Sequence, residues 1–366
     1  MSRLLSSSDA DVARAARALR RGRLVAFPTE TVYGLGAAAR DPEAVARIYR
    51  AKGRPRGHPV IVHLAAPELL AGWVRAVPDI ARVLAAAFWP GPLTLVMERA
   101  YGVPDGVTGG QTTVAVRVPD HPVALRLLGA FGDGVAAPSA NRFGRISPTT
   151  AAHVAEEFAQ LDVLVLDGGP CRVGLESTIV DLSGGRPRLL RPGGVAREAI
   201  EAVLGERLTL APQLRETLDE GEAPDAAPDA APPPRAPGGL PRHYAPSTPA
   251  ELVPSAALLG RAAALAGTPD GHGPAGTGGP VAVLARRAAP EGFAGPWLQL
   301  PDVPEAYGRE LYAALRRLDA AGCRRILVES VPASAPWLAI RDRLRRATSG
   351  SGDGVPEPRD ERQEGA

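Results

Sequence analysis

The sequence predicts two α/β domains joined by a linker, and three observations lead to this prediction. The chain has 366 residues, about twice the length of an ordinary domain. Strand and helix patterns alternate in both halves, as is typical of α/β domains. An acidic, Pro- and Ala-rich stretch separates the halves and cannot build a core. We therefore place the domains at residues 1–206 and 248–346, the linker at 207–247 and a disordered tail at 347–366.

The first domain begins with a helix in DVARAARALRR, which Ser8 or Asp9 caps and Gly22 ends. The segment LVAFPTETVYGLGAAA follows as a strand that enters a polar turn. Asp41 then caps a helix that has Pro at its first position and ends at Lys52. After a basic loop, the patterns predict in order strand VIVHL, helix DIARVLAAAFW, strands LTLVME and TTVAVRVP, helix PVALRLLGAF, strand VAAPSAN, helix TTAAHVAEEF, strand VLVLDGG, the strands of STIVDLSGGRPRLLRPG and helix REAIEAVLG. Hairpin-like turns among these elements favour a mixed sheet.

The second domain is predicted to be a small doubly wound α/β unit. Its strands are expected in PVAVLAR and RILVES, and its helices in AYGRELYAALRRLDAAG and PWLAIRDRLRRA.

Charge and cysteine content exclude several classes of protein. The 42 basic and 40 acidic residues give a net charge of +2, so the chain lacks the field of a dedicated nucleic-acid binder. Two cysteines without CxxC spacing argue against a disulfide framework or a structural zinc site. No signal-like segment and no apolar run long enough to span a membrane occurs in the sequence. We expect a cytoplasmic protein without a membrane partner.

A basic loop contains the only lysine of the chain, Lys52, in KGRPRGHP. Lys52, Arg54 and His58 lie close together there, between Gly and Pro residues that favour an extended, exposed backbone. Ammonium and guanidinium groups in such a loop suit a polyphosphate. The alternative is a solvated surface loop without a ligand.

The only asparagine, Asn141, lies in a second polar loop, SANRFGRISPTT. Ser139, Asn141 and Ser147 precede a helix, and hydroxyls with free backbone N–H groups at such a start can hold an anion. Two structural alternatives stay open: Ser147 as a plain N-cap and Asn141 in a left-handed turn.

Further polar residues occur on or next to predicted strands. Thr113 and Arg117 share one face of TTVAVRVP, and an arginine on such a core-like strand needs a carboxylate or phosphate partner. The alternative is an arginine at the sheet edge or on the surface. His63 shares a face with Ile61 and fits a core histidine equally well. Ser177 precedes one strand, and Arg191 ends the next. No nucleophile with its base is recognisable, so these residues indicate catalysis by positioning and charge stabilisation.

These segments together resemble a known family. In chain order, FPTETVYGLGAAA, KGRPRGHPVIVHL, WPGPLTLVM, TTVAVRVPDHP, APSANRFGRISPT, DGGPCRVGLESTIVD, LLRPGGV and RHYAP are similar to segments of the YrdC-type L-threonylcarbamoyladenylate synthases. The linker and second α/β unit resemble the longer, two-domain form. The resemblance implies a YrdC-like twisted mixed sheet followed by a small Rossmann-like domain.

The activity implied by the resemblance joins L-threonine, bicarbonate or CO2, and ATP into threonylcarbamoyl-AMP and pyrophosphate, with Mg2+ accompanying ATP. The product would serve threonylcarbamoyladenosine formation on tRNAs that read codons beginning with A. The implied partner is the downstream complex that transfers the threonylcarbamoyl group to tRNA, without direct nucleic-acid binding by this chain.

The resemblance also implies roles for individual residues. The implied threonine-binding residues are Thr31, His63, Arg117 and Ser177. The implied nucleotide-binding residues are Lys52, Arg54, His58, Thr113, Ser139, Asn141, Ser147, Arg191, His243 and Tyr244. Lys52 and Arg54 would be the catalytic cations, and His243 and Tyr244 would form a lid. Phe143 departs from the family pattern and is expected to narrow its loop.

Two other functions fit parts of the sequence. The first is an RNA- or tRNA-binding accessory module that uses the same concave surface, against which the near-neutral charge and an aromatic content of 4% argue. The second is a carbamoyl-transfer domain like those of hydrogenase maturation, but the neighbouring segments expected for it are missing from the sequence.

Overall fold

The computed structural model describes residues 2–212, 214–215, 232–266 and 279–349, and it confirms the predicted α/β fold class. Within these residues the chain forms a mixed sheet of eleven strands and a parallel sheet of four. The helices are α1 (Asp9–Arg20), α2 (Pro42–Lys52), α3 (Asp79–Phe88), α4 (Asp105–Thr108), α5 (Pro122–Phe131), α6 (Ala151–Glu157), α7 (Arg197–Leu204), α8 (Leu258–Ala266), α9 (Pro304–Asp319) and α10 (Leu338–Thr348). The strands are β1 (Arg3–Leu5), β2 (Val25–Phe27), β3 (Gly34–Ala38), β4 (Ile61–His63), β5 (Leu93–Glu98), β6 (Thr113–Arg117), β7 (Val135–Ala136), β8 (Leu164–Leu166), β9 (Thr178–Asp181), β10 (Arg188–Arg191), β11 (Thr209–Leu210), β12 (Ala250–Val253), β13 (Val281–Ala285), β14 (Trp297–Gln299) and β15 (Arg325–Glu329).

The large sheet has the order β1-β8-β2-β3-β7-β4-β6-β5-β9-β10-β11. Hairpin-like antiparallel pairs, such as β5 with β6 and β9 with β10, alternate with parallel pairs, such as β4 with β6. The parallel pairing of β4 with β6 sets His63 beside Arg117, so two of the predicted site residues are neighbours by register alone. Strand β11 extends this sheet just beyond residue 206.

One local prediction for the first domain is wrong, and one alternative that the sequence left open is excluded. The segment predicted as one strand forms two antiparallel strands, β2 and β3, because the hydroxyl of Thr29 bonds to the amides of Thr31 and Val32 and folds the chain into a turn. Ser147 is not the N-cap of α6, since the hydroxyl of Thr150 accepts the capping bond from the His153 amide.

Two cations of the basic loop, Lys52 and Arg54, are not exposed as expected. Helix α2 is capped by Asp41 and ends at Gly53, whose φ of 63° is in the left-handed region. This turn directs the loop back against the domain, and the amide of Phe143 bonds to the Lys52 carbonyl at 2.8 Å. Lys52 and Arg54 are consequently only 2% and 8% exposed.

The second domain is doubly wound, as predicted. Its strands follow the order β12-β15-β13-β14. Helices α9 and α10 pack on one face of this sheet, and α8 packs on the other. Helix α10 continues to Thr348, so the first residues of the predicted tail are helical, while residues 350–366 and most of the predicted linker lie outside the described residues.

The two domains are in direct contact. Arg343 on α10 forms an ion pair with Glu176 of the first domain, with 2.7 Å between Nε and Oε2. In the described part of the chain, no helix has the length and apolar character needed to cross a membrane.

Candidate active site

A pocket lies where the first domain meets residues 237–244, here called the lid segment. Nine of the residues named from the sequence line it: Thr31, Arg54, His63, Arg117, Ser139, Ser177, Arg191, His243 and Tyr244. Residues more than 200 positions apart therefore converge on one concave site, as expected for small-molecule binding.

Arg117 is held at one side of this pocket by two partners. Its Nη2 bonds to Glu30 Oε2 at 2.6 Å, and its Nη1 bonds to the Thr31 hydroxyl at 3.0 Å. Arg117 is 2% exposed, so the carboxylate that a buried arginine requires is supplied first by the chain itself. Burial and the neighbouring Arg117 lower the pKa of His63 to about 3, so its imidazole is neutral at physiological pH.

Ser177 and Arg191 are fixed to each other. Arg191 donates through Nε and Nη2 to the Ser177 carbonyl, at 3.1 and 2.9 Å, and through Nη1 to the carbonyl of Pro237 at 2.9 Å. The Ser177 hydroxyl shares a hydrogen bond of 2.7 Å with Thr94. Arg191 therefore connects the strand end at Ser177 to the lid segment, and burial lowers its pKa.

Lys52 lies behind the pocket rather than in its wall. Its ammonium donates to the carbonyl oxygens of Ser139, at 2.6 Å, and Asn141. Burial, with a smaller effect of Arg54, places the pKa of Lys52 well below its ordinary value. Arg54 reaches the pocket itself, and burial lowers its pKa to about 10. Lys52 thus anchors the polar loop that presents Ser139.

The lid segment packs its aromatic residues against the pocket. His243 and Tyr244 are 6% and 1% exposed, with ring centroids 4.0 Å apart. Tyr244 has a φ of 61°, a strained value for a residue other than glycine. Burial lowers the pKa of His243 well below its ordinary range, so this ring is also neutral.

Four further predicted residues do not line the pocket. Asn141 bonds through its amide to the carbonyl of Arg145, while Ser147 donates to Glu176 at 2.7 Å. Thr113 is buried at the start of β6, and His58 faces Phe143 with ring centroids 5.5 Å apart. Ser147 therefore contacts a residue of the pocket wall, Glu176. Asn141, Thr113 and His58 lie outside the pocket wall.

Sequence reasoning missed Thr29 and Glu176, which both line the pocket. Glu176 has no metal-ligand spacing, and its partners Tyr312 and Arg343 belong to the second domain. Although burial alone would raise the pKa of Glu176, Arg343 and Arg191 hold it at about 2. The one signal in the sequence was the carboxylate directly before Ser177 in a segment that is otherwise typical of a buried strand.

Polar atoms without partners mark this pocket as a ligand site. The buried atoms that lack a hydrogen-bond partner in the described residues include Arg54 Nε, His63 Nδ1, Arg117 Nε, His243 Nδ1 and Tyr244 Oη, and all five residues line the pocket. Buried polar atoms are normally paired, so a polar ligand is expected here. Arginines with neutral imidazoles and hydroxyls suit an anionic substrate whose charge is redistributed during reaction.

Comparisons with known proteins find relatives of this chain over most of its length. Residues 17–193 match the family described as telomere recombination, and residues 195–349 match the threonylcarbamoyl-AMP synthase C-terminal domain. The chain is 43% identical over 338 residues to the threonylcarbamoyl-AMP synthase of Pyrococcus abyssi, covering 91% of this chain and 93% of that protein. It is 38% identical to the Bacillus subtilis threonylcarbamoyl-AMP synthase, with 94% and 95% covered. The crystal structure of P. abyssi Sua5 complexed with L-threonine superposes with a TM-score of 0.82 at 39% identity, covering 95% of this chain and 97% of that one.

Proposed function

The chain belongs to the threonylcarbamoyl-AMP synthase family, and from this we propose that its pocket joins L-threonine, bicarbonate or CO2, and ATP. The product is threonylcarbamoyl-AMP, and pyrophosphate is released. One observation carries the assignment to this pocket: Arg54 and Arg117, each with a buried Nε that has no hydrogen-bond partner in the described residues, line the same pocket as His243 and Tyr244 of the lid segment.

The polar groups divide the pocket between two substrates. Arg117, Thr31 and His63 form the side that receives L-threonine, where the guanidinium of Arg117 would bind the substrate carboxylate. Arg54 and Arg191, with Ser139, form the side that receives the phosphates of ATP. His58, Thr113 and Asn141 lie outside the pocket wall, so in this proposal they support the nucleotide side from behind.

The reaction proceeds by positioning and charge stabilisation. The neutral amine of threonine attacks CO2 and loses a proton to form a carbamate; from bicarbonate, water leaves instead. A carbamate oxygen then attacks the α-phosphorus of ATP and displaces pyrophosphate. Pyrophosphate leaves as charge accumulates on its oxygens, and the guanidinium groups of Arg54 and Arg191 stabilise that charge. His243 and Tyr244 cover the pocket and keep water from the labile acyl phosphate.

Magnesium belongs to the substrate in this proposal, as Mg2+·ATP. Within the described ranges, no group of His, Cys, Asp and Glu side chains could hold a metal ion by itself, so phosphate oxygens and water would be its main ligands. The proposed setting is the cytoplasm, which suits two unpaired cysteines, Cys171 and Cys323. The product would pass to the complex that transfers it to tRNAs reading codons that begin with A.

The test measures pyrophosphate release and threonylcarbamoyl-AMP formation with Mg2+ and ATP, with threonine or bicarbonate omitted and with L-serine in place of threonine. The proposal requires both co-substrates and a preference for threonine. Arg54→Met should lower kcat/KM at least about a hundredfold because it removes a buried phosphate donor. Arg56→Met, an exposed change in the same loop, is the matched control. ATP hydrolysis that is indifferent to threonine would contradict the proposal.

A further inference from the structure

The second domain contributes a buried cation that contacts two residues of the pocket wall, Glu176 and Tyr244. Arg343 is fully buried and bonds to Glu176 Oε2 through Nε at 2.7 Å. Its Nη2 donates to the Pro192 carbonyl at 3.0 Å, and its Nη1 donates to Asp342 at 2.6 Å. The guanidinium carbon is also 5.0 Å from the centre of the Tyr244 ring. One side chain of α10 therefore contacts both the first domain and the lid segment.

Glu176 receives its other bonds from both domains. The hydroxyl of Ser147 donates to Oε1 at 2.7 Å, and the hydroxyl of Tyr312 donates to Oε2 at 2.9 Å. Glu176 lines the pocket and directly precedes Ser177, whose carbonyl and hydroxyl bond to Arg191. A shift of Glu176 would therefore move the backbone that holds Ser177 and Arg191.

The same turn of α10 holds the lid segment. Arg346 bonds to Asp342 at 2.9 Å and donates to the carbonyl of Leu240 at 2.5 Å. The amide of His243 donates to the Arg346 carbonyl at 3.2 Å. Asp342 accepts hydrogen bonds from both Arg343 and Arg346, so the pocket wall and the lid segment are attached to one continuous buried network.

We propose that Arg343 is a positioning residue for adenylate formation: it orients Glu176 and supports Tyr244, so that the nucleotide side of the pocket and the closed lid are ordered together. The inference rests on the proposed function, because it concerns the same pocket. Arg343 touches no substrate and acts through these two residues. Without Arg343, the buried carboxylate of Glu176 would lose the cation that bonds to it directly, which favours displacement of Glu176 toward solvent.

The perturbation is Arg343→Met, which keeps the apolar length of the side chain and removes its charge and donors. We expect KM for ATP to rise about tenfold or more. We also expect pyrophosphate release to exceed threonylcarbamoyl-AMP formation, because an incompletely closed lid admits water. A structural defect alone would reduce the active fraction, lowering kcat without changing KM or this product ratio.

Three further variants make the test specific. Arg317→Met makes the same change at an exposed site on α9 and should behave like the wild type. Arg343→Lys keeps the charge but lacks the planar fork whose three nitrogens bond separately to Glu176, Asp342 and Pro192, so it should also raise KM for ATP. This variant tests the proposal if the methionine variant does not fold. In Glu176→Gln, adding Arg343→Met should raise KM by much less than it does in the wild type.

The outcomes separate this inference from the proposed function. Wild-type protein that makes no threonylcarbamoyl-AMP would contradict the proposed function. An active wild type with folded Arg343 variants of unchanged KM and unchanged product ratio would overturn the positioning role alone. Effects of Arg343→Met and Glu176→Gln that multiply in the double variant would also overturn it, since Arg343 would then act independently of Glu176.

Discussion

Replacing Lys52 by methionine removes the ammonium that holds the carbonyl oxygens of Ser139 and Asn141. Lys52 is 2% exposed, so water cannot easily take its place. Each buried carbonyl left without a donor costs about 1–3 kcal/mol. The lowered pKa of Lys52 shows that its ammonium is itself poorly solvated, and losing that penalty offsets part of the cost. We expect Lys52→Met to lower the free energy of unfolding by about 2–4 kcal/mol.

Urea denaturation followed by circular dichroism at neutral pH measures this change. Arg50→Met is the matched control, because Arg50 lies on the same helix with 58% of its side chain exposed and a 4.0 Å ion pair to Glu43. The control should cost less than about 1 kcal/mol. Lys52→Met and Arg50→Met of equal stability would refute the anchoring role of Lys52.

Lys52→Arg tests why this chain keeps a single lysine. The slot that holds the ammonium lies between two carbonyls, and the larger planar guanidinium cannot occupy the same point. We expect lower stability and a raised KM for ATP, since the loop that presents Ser139 would shift. Wild-type stability and full activity in Lys52→Arg would show that a compact ammonium is not required. A direct contact of Lys52 with phosphate stays a prediction.

Three further predictions concern other parts of the pocket. The pKa of His63, about 3, lies below its value in the unfolded chain, so its neutral ring contributes fully to the free energy of unfolding above about pH 6.5. Acidification from pH 6.5 to 5 should lower the free energy of unfolding by about 2 kcal/mol. Urea denaturation at both pH values should show a smaller loss in His63→Gln. Gly238→Ala should raise KM for ATP, because Gly238 has a φ of 84° and an added Cβ would lie 2.3 Å from the Tyr244 hydroxyl, whereas in Gly239→Ala the nearest atom is at 3.2 Å; equal kinetics of the two variants would contradict this. Arg117→Lys should raise KM for threonine about tenfold or more with little change in KM for ATP, since an ammonium cannot replace the two-pronged guanidinium, and saturation curves for each substrate decide it.

Local signals in the sequence predicted much of the first domain but not its buried pairs. Asp41 and Gly53 fixed the ends of α2 through cap chemistry that acts within a few residues. The need of Arg117 for a carboxylate was also predictable, but Glu30 could not be identified as that partner because the two are 87 positions apart. Long-range pairing of this kind depends on the sheet register, which the local pattern does not encode.

The exposure of Lys52 and Arg54 in the basic loop was predicted wrongly for a related reason. Charge and Gly/Pro content favour solvent exposure on average, yet Lys52 and Arg54 are buried. The carbonyls that accept from Lys52 come from a loop almost ninety residues away, and a sequence pattern cannot show that a charge will find partners in the folded state. For the same reason the ion pair of Arg343 could not be predicted, because its partner Glu176 is 167 positions distant in the other domain.

Four buried arginines in and around the pocket fall into two groups that differ in their hydrogen-bond partners. Arg117 and Arg343 have carboxylate partners, so their charge is already balanced inside the protein. Arg54 and Arg191 donate to carbonyls instead, and burial lowers the pKa of each, which reflects the penalty on a buried charge that has no carboxylate bonded to it among the described residues. An anion that enters between them relieves this penalty. Because Arg191 also holds the lid segment through Pro237, a bound polyphosphate would stabilise the charge of Arg191 and the closed lid in the same step.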